Sequence, residues 1–238
     1  MTSNRRIRAV AAAHAHDLRR RRTALGFLIG LPLLFYAVGA GHQGTHAVTT
    51  GIIATAFSIV GAGIFTELGG RTVDQRLLLA GYRPTELLAG RLLVLTALSV
   101  PILVGTAGLM TAISHPDHPG LLATAALAVG VVGVPLGLLI GLLVPRDLEA
   151  VLLLIGIVGV QLSLDPTQSL NTALPFGGPR RLVEAAVGEP QSAATGLWIT
   201  LAYAAALLAT AQIAAALRSP RGLSRPSANP NPGAVNLG

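Results

Sequence analysis

The sequence contains neither cysteine nor lysine, and charged residues make up only 11% of its 238 positions. Without cysteine, the chain can form no disulfide, no thiol nucleophile and no thiolate metal site. Without lysine it has no P-loop, because that phosphate-binding motif needs a lysine after its glycines. Soluble domains carry about 25% charged residues. These absences exclude several enzyme classes and indicate that water does not surround most of the chain.

Hydrophobic residues make up 52% of the chain and are gathered in long runs. About 20 apolar residues in a helix cross the hydrocarbon core of a bilayer. Helices that are apolar all round suit lipid better than water. The sequence thus predicts an all-α polytopic integral membrane protein with six transmembrane helices. The predicted spans are residues 23–41, 46–66, 89–113, 121–144, 148–164 and 195–217.

The remaining segments give the predicted domain organisation. Residues 1–22 are basic, with apolar residues at helical spacing, which predicts an amphipathic elbow helix on the membrane surface. A merely charged, disordered tail is the alternative for this stretch. The transmembrane domain covers 23–217 and is interrupted by two segments, a charged one at 67–88 and one at 165–194 that prolines and glycines break. Between these breakers, residues 181–187 are predicted to form one or two helical turns. Residues 218–238 are rich in Pro, Asn, Ser and Gly and predict a disordered tail.

The positions of the arginines predict the orientation. With six spans both termini lie on one side of the membrane, and all arginines except Arg180 and Arg181 fall on that side. The positive-inside rule therefore predicts cytoplasmic termini, a cytoplasmic segment 67–88 and an outward segment 165–194 in a bacterial plasma membrane. The net charge of +7 is compatible with nucleic-acid binding. Because the arginines flank apolar spans and no stacking aromatics accompany them, no nucleic-acid partner is predicted.

The predicted spans contain few side chains that could take part in catalysis or ion transport. None has Asp, Glu, Arg or His near its middle, whereas ion-coupled carriers and proton relays place ionisable residues there. No histidine in a span can pair with a serine, which disfavours an intramembrane serine protease. We therefore predict no catalytic residue, no cofactor and no metal in this chain. A metal or pH-sensing site at the outward-loop residues His42, His46, His115, Asp117 and His118 is the less favoured alternative.

One span carries glycine at every fourth position, at Gly133, Gly137 and Gly141. Small residues at this spacing let two helix backbones approach closely in a membrane. The pattern predicts a helix-packing seam. A helix of the same chain is the favoured partner, and a helix of a second subunit is the alternative.

The segment after the second predicted span is the most informative part of the chain. Its charged, amphipathic helix is predicted to end near Gly81, since glycine favours a helix C-terminus, and Pro84 favours a turn and a new start. Because the spans on either side hold it, this segment is predicted to form a cytoplasmic knob that can pass the motion of a docked partner to the membrane helices.

These residues resemble the membrane subunits of type-2 ATP-binding-cassette transporters, the export permease family. The family has a Glu after the second span, then a Thr-bearing helix, a Leu run, a turn with proline, and a Gly-basic pair that opens the third span. This chain has Leu68 where the family often has Arg, and Arg71 where it often has Gly. The elbow, the six spans and the broken segment before the last span extend the resemblance over the whole architecture. The matching residues are Glu67, Thr72, Leu77 to Leu79, Gly81, Pro84, Gly90 and Arg91.

The resemblance implies a permease subunit that pairs with a second permease subunit and with separate cytoplasmic ATP-binding subunits, which hold ATP and Mg. It implies export of an amphiphilic, drug-like or lipid substrate, no enzymatic activity in this chain, and an outward gate at 165–194. A membrane scaffold or assembly protein without transport activity is the main alternative, and a channel or ion-coupled carrier is a second. The implied ATPase-coupling residues are Glu67, Arg71, Thr72, Asp74, Gln75, Arg76, Gly81, Arg83 and Pro84.

Overall fold

The computed structural model of the protein describes residues 7–13, 15, 26, 30, 32–38, 45–164 and 169–218. Within these residues the chain forms helices and turns, and no strand occurs. The predicted all-α class is therefore confirmed. Seven helices are numbered in chain order, and short helical stretches at 7–13 and 32–38 precede them. They are α1 (Thr45–Leu79), α2 (Pro84–Ser114), α3 (Pro119–Leu143), α4 (Asp147–Ser163), α5 (Ser169–Thr172), α6 (Gly177–Ala186) and α7 (Ala193–Arg218).

Four of these helices are long and apolar enough to cross a membrane, which confirms a membrane protein. They are Ala47–Arg71 within α1, the whole of α2 and α3, and Ala193–Leu217 within α7. Helix α4 has 17 residues and measures about 26 Å at the α-helical rise. The first predicted span, 23–41, lies mostly outside the described residues. The count of six spans therefore stays a prediction.

Helices α1 and α3 run in the same direction and touch through their backbones. A Cβ atom added at Gly137 would lie 3.0 Å from the Cα of Gly63 and closer still to the Val60 carbonyl oxygen. Gly133 faces Ile59, and Gly141 faces the side chain of Glu67. The glycine seam predicted for this helix therefore lies against a helix of the same chain. Helix α2 also packs on α3, where Leu103 fills the space beside Gly130.

The charged segment after residue 66 does not form a separate element. Helix α1 continues without a break from Thr45 to Leu79, a run of 35 residues. The sequence predicts that the membrane span ends and a separate charged segment begins at Glu67. The helix continues instead, because no proline interrupts it there and the first charged side chains have partners inside the protein. The predicted end near Gly81 agrees with the structure, because the helix stops at Leu79 and α2 begins at Pro84.

The segment between α4 and α7 is more ordered than its proline and glycine content predicts. The sequence predicts one or two helical turns over 181–187, whereas α6 runs from Gly177 to Ala186. Gly178 and Pro179, read from the sequence as breakers, lie in the first turn of α6, where a missing backbone N–H costs nothing. Gly178 also lets α6 contact α7, because a Cβ there would lie 2.7 Å from the Gly196 carbonyl oxygen.

The helical residues before α1 pack on the same bundle. Phe35 stacks on Phe57 of α1 with ring centroids 5.5 Å apart. The Tyr36 hydroxyl shares a hydrogen bond of 2.7 Å with the Ser114 hydroxyl, and the tyrosine is buried. The Tyr36 ring packs beside Gly51 of α1. Near the other end of the bundle, Val10 is buried against Gly90.

Because the α1 and α3 backbones touch at the glycine seam, even a methyl group added there should destabilise the fold. We expect Gly137→Ala to lower the free energy of unfolding by about 1–3 kcal/mol, because the added methyl must push two backbones apart. Thermal or denaturant unfolding of the purified protein in detergent measures this. Gly156→Ala on α4 is the matched control, since nothing lies within 4 Å of its Cβ position. Equal stabilities of the two variants would contradict the seam.

Candidate functional site

The α1–α2 hairpin, residues 67–91, contains a buried ion cluster at the base of its turn. The side chain of Arg91 in α2 pairs with Glu67 and Asp74, both in α1. Glu67 and Arg91 are each only 3% exposed, and Asp74 is half-buried. Because the two acidic residues are seven positions apart, they lie on one face of α1, two turns apart. The guanidinium of Arg91 therefore binds two positions of α1, two turns apart, to the start of α2.

A second arginine fastens the same part of α1 to α3. Arg71 donates hydrogen bonds of 2.9 Å to the carbonyl oxygens of Gly141, Val144 and Pro145. These carbonyls belong to the C-terminal end of α3, where the last turn of a helix has no backbone donors and carries partial negative charge. Arg71 thus caps α3 from the side of α1. Charged side chains therefore join this part of α1 both to α2 and to α3.

The turn of the hairpin has a fixed backbone. Gly81 has φ of +83°, a conformation that residues with a side chain rarely adopt. Its N–H donates to the Leu78 carbonyl and the Tyr82 N–H donates to the Leu77 carbonyl, which is the Schellman arrangement of a helix end. At the start of α2, the carboxylate of Glu86 accepts a hydrogen bond of 2.9 Å from the Arg83 N–H.

The hairpin residues beyond the cluster face outward. Leu79 is 75% exposed, which is unusual for a leucine at the end of a well-packed helix, and Val73 is 43% exposed. We call the exposed residues Val73, Gln75, Arg76, Leu79, Gly81 and Arg83 the hairpin tip.

The structure divides the residues implied for ATPase coupling into two groups. Gln75, Arg76, Gly81 and Arg83 belong to the tip, and Pro84 is half-buried beside it. Glu67, Arg71 and Asp74 face the interior of the protein instead. Thr72 lies within α1, and its side chain is outside the described part of the chain.

Sequence reasoning missed the role of these internal charges. The charges at 67–74 indicate an exposed amphipathic helix, whereas three of them turn inward. The signal was present in the spacing, because residues 67, 71 and 74 lie four and three positions apart and so form one stripe along the helix. The partner of Glu67 lies 24 residues away in sequence, that of Asp74 lies 17 away, and those of Arg71 lie 70 to 74 away, which no local pattern reveals.

A second buried polar cluster lies at the other end of the bundle. Arg180 of α6 pairs with Glu184 at 3.0 Å and donates to the carbonyl oxygens of Gln161 and Leu164 at 3.1 and 3.0 Å. The side-chain amides of Gln161 and Asn171 are hydrogen-bonded to each other. Burial raises the pKa of Glu184 above the usual range of a glutamate, although Arg180 beside it acts in the opposite direction.

The described histidine side chains of the two predicted outward loops, His115 and His118, both lie between α2 and α3. Among the described residues, no group of three His, Cys, Asp or Glu is placed to hold an ion. His115 ends α2 in the left-handed conformation with φ of 46°. The N–H of His118 donates to the Ala186 carbonyl, which ties this loop to α6. His42 and the side chain of His46 lie outside the described residues.

The buried pairing predicts strong energetic coupling. We expect Arg91→Gln to lower the free energy of unfolding by about 3–5 kcal/mol, because it leaves two carboxylates without their cation. Unfolding of the detergent-solubilised protein measures this change. Glu67→Gln combined with Arg91→Gln should cost less than the sum of the two single changes.

Arg146→Gln is the matched control for this pair. Arg146 pairs with Glu149 at 2.9 Å, but its side chain is 80% exposed. Its loss should therefore cost at most about 1 kcal/mol. A strictly additive double variant, or equal effects at Arg91 and Arg146, would show that the cluster does not hold the hairpin.

Comparison with known proteins gives no further assignment. No protein-family model and no characterised protein matches this chain. The resemblance to the type-2 permeases is therefore carried by the motif residues and the order of helices alone.

Proposed function

We propose that this chain is the transmembrane permease subunit of an ATP-binding-cassette exporter. The observation that carries the proposal is the projecting, internally braced α1–α2 hairpin. Helix α1 has 35 residues and is about 52 Å long, whereas the hydrocarbon core of a bilayer is about 30 Å thick. Its apolar part ends at Arg71. The remaining two turns and the hairpin tip therefore extend beyond the apolar layer, where a water-soluble partner can reach them.

The tip has the composition of a docking surface. Leu79 offers an apolar contact, while Arg76 and Arg83 supply exposed positive charge beside it. Protein interfaces combine an apolar centre with a charged rim that steers the partner. In this proposal the tip docks on a separate cytoplasmic ATPase subunit, which holds ATP and Mg.

The bracing of the hairpin allows a force at the tip to reach the membrane helices. Arg91 fixes the Glu67–Asp74 part of α1 to α2, and Arg71 fixes the same part to α3, so α1 cannot pivot independently of its neighbours. Displacement of the docked ATPases would then move three helices together. Coupling through packed, hydrogen-bonded elements is how a local motion reaches a distant site.

An apolar groove supports an amphiphilic or lipid-like substrate. It has a volume of about 480 Å³ and lies along one face of α2, with Leu33 opposite. Small-molecule sites have volumes of about 300–1,000 Å³ and combine apolar walls with a few polar groups. Thr106 supplies a hydroxyl, and Pro101 leaves a backbone carbonyl one turn earlier without its helical donor. The other lining residues are Leu98, Ile102, Gly105 and Leu109.

The proposal includes an assembly and an orientation. Two permease subunits pair in the plasma membrane, each with six spans and cytoplasmic termini, and the α5–α6 segment faces outward as a gate. The distribution of arginine supports this orientation, because only Arg180 and Arg181 fall on the outward side and all other arginines fall on the side of the hairpin and the termini.

Disruption of the tip should uncouple the permease from its ATPase without unfolding it. We expect Arg76→Glu combined with Leu79→Asp to reduce co-purified ATPase activity, and ATP-driven substrate uptake into inverted vesicles, by at least about tenfold. This corresponds to the loss of about 1.4 kcal/mol or more of docking free energy. ATPase activity is measured on the tagged protein after crosslinking and extraction from its native membrane in mild detergent, and transport is measured on sealed inverted vesicles from the same cells without extraction.

Arg146→Glu is the control, because Arg146 is also exposed at the hairpin end of the bundle but lies outside the tip. It should leave both activities near the wild-type level. A wild-type preparation without ATPase activity, even after crosslinking, would overturn the proposal in favour of a scaffold. Equal losses in the tip variant and in Arg146→Glu would show that general surface charge, rather than the tip, mediates docking.

A further inference from the structure

The apolar groove along α2 is lined by one polar side chain that has no partner within the described part of the protein. Thr106 lines the groove and is only 7% exposed, and among the described residues its hydroxyl makes no hydrogen bond. The buried hydroxyls of Thr55, Ser99 and Thr200 differ, because each donates to a carbonyl three or four residues earlier in its own helix. The Thr106 hydroxyl is therefore available to a molecule in the groove.

The depth of Thr106 decides which molecules can supply its partner. The residue lies about 12 Å along the helix axis before α2 ends at Ser114. The hydrocarbon core of a bilayer is about 30 Å thick, and the headgroup and interfacial oxygens of its lipids lie outside this core. A hydroxyl without a hydrogen bond is costly in such surroundings. The acyl chains of ordinary bilayer lipids can fill the groove, but they offer no acceptor to Thr106.

The walls of the groove are held in place by the fold. A Cβ atom added at Gly105 would meet nothing within 4 Å, so the floor of the groove is open α2 backbone. Leu33 forms the opposite wall and belongs to the helical stretch 32–38. Phe35 anchors this stretch to α1 by ring stacking, and Tyr36 anchors it to the end of α2 by a hydrogen bond. The groove therefore has the preformed character of a small-molecule site.

The position of Thr106 along the groove indicates where a ligand carries its polar atom. The groove follows α2 from Leu98 to Leu109, which is about 16 Å at the helical rise. Thr106 lies within this length, and apolar residues line the groove on both sides of it. A ligand that pairs with Thr106 therefore carries its oxygen inside an apolar body. A charged headgroup at this depth would be expensive to bury.

We propose that the groove binds a neutral lipophilic molecule with a carbonyl or hydroxyl oxygen within its apolar body, and that this oxygen accepts a hydrogen bond from Thr106. The apolar walls hold the body of the ligand by close packing, and Thr106 selects for the oxygen. The inference deepens the proposed function and rests on it for the role of the ligand as a transport substrate. Binding itself can be measured without transport.

Benzophenone and diphenylmethane are a suitable pair of probes, because they differ only by a carbonyl in place of a methylene group. Benzophenone also crosslinks to nearby C–H bonds under ultraviolet light. Its labelling of the protein in lipid nanodiscs gives the affinity from saturation and the site from mass spectrometry of the peptides. Diphenylmethane serves as the competitor. We expect saturable labelling on α2 between Leu98 and Leu109, whereas unsaturable labelling spread over all lipid-facing helices would overturn the proposal.

Thr106→Val removes the hydroxyl and leaves a side chain of similar shape. We expect it to weaken benzophenone binding by about three- to tenfold and to leave competition by diphenylmethane unchanged, because only the ketone loses a hydrogen bond. Thr106→Ser should restore the preference for benzophenone. Thr96→Val is the matched control, since Thr96 is exposed on the same helix and lies outside the groove. An unchanged benzophenone affinity in Thr106→Val, or equal losses for both probes, would contradict the proposal.

A steric variant tests the location independently of the hydroxyl. Gly105→Leu fills the groove from its floor and should weaken the saturable labelling by at least about tenfold. Gly108→Leu is its control, because a Cβ at Gly108 also meets nothing within 4 Å but the residue does not line the groove. Thermal unfolding of each variant verifies that it is folded. Wild-type labelling in a folded Gly105→Leu protein would place the ligand elsewhere and overturn the proposal.

Co-purification of an ATPase separates this proposal from the proposed function. Labelling that depends on Thr106, in a protein that retains no ATPase even after crosslinking, would keep the ligand site and remove the exporter. A co-purified ATPase together with labelling that does not depend on Thr106 would keep the exporter and remove the ligand site.

Discussion

The direct contact of the α1 and α3 backbones is the constraint on which the other features depend. In a membrane, lipid tails are as apolar as the helices, so association relies on close packing and on interhelical hydrogen bonds. Glycines at 63, 133, 137 and 141 remove the side chains that would hold the two helices apart. Only at this separation does Glu67 lie over Gly141, and only then can Arg71 reach the last carbonyls of α3.

The protein uses arginine in a similar way at both ends of the bundle. Arg71 and Arg180 each donate to carbonyls at the end of a neighbouring helix, and carboxylates lie close to both clusters. A guanidinium has five donors, so it can satisfy an acid and several backbone oxygens together. Backbone carbonyls left without donors in an apolar layer are costly. A chain with so few charges therefore places several of them where backbone groups need partners.

The sequence predicts the apolar helices and their ends well, because both follow from local patterns. The starts and ends of α2, α3, α4 and α7 lie within about five residues of the expected spans. Gly81 and Pro84 mark a helix end and a helix start by their own backbone preferences. The continuity of α1 through Glu67 is not predictable in the same way, because the charges there are neutralised by Arg91 and not by water.

For the candidate site, residue type and location were predictable but side-chain direction was not. The hairpin tip is where the resemblance places the coupling residues, yet Glu67 and Asp74 lie inside. Their direction is decided by a partner beyond the turn. Likewise, Gly177 to Pro179 form the first turn of α6 and not a break, because the buried Phe176 donates its N–H to Gln161 of α4 and so orients the chain at that point.

Of the two capping arginines, one precedes and the other follows the helix that it caps in the sequence, and this order affects how the protein assembles during synthesis. Arg71 precedes α3, so the last carbonyls of that helix meet their donor as soon as α3 enters the membrane beside α1. Arg180 follows α4, so the carbonyls of Gln161 and Leu164 wait until α6 has been translated. Helix α4 is also short for a span. We therefore expect α1, α2 and α3 to form a stable early unit, and α4 to be seated only when the ribosome has passed α6.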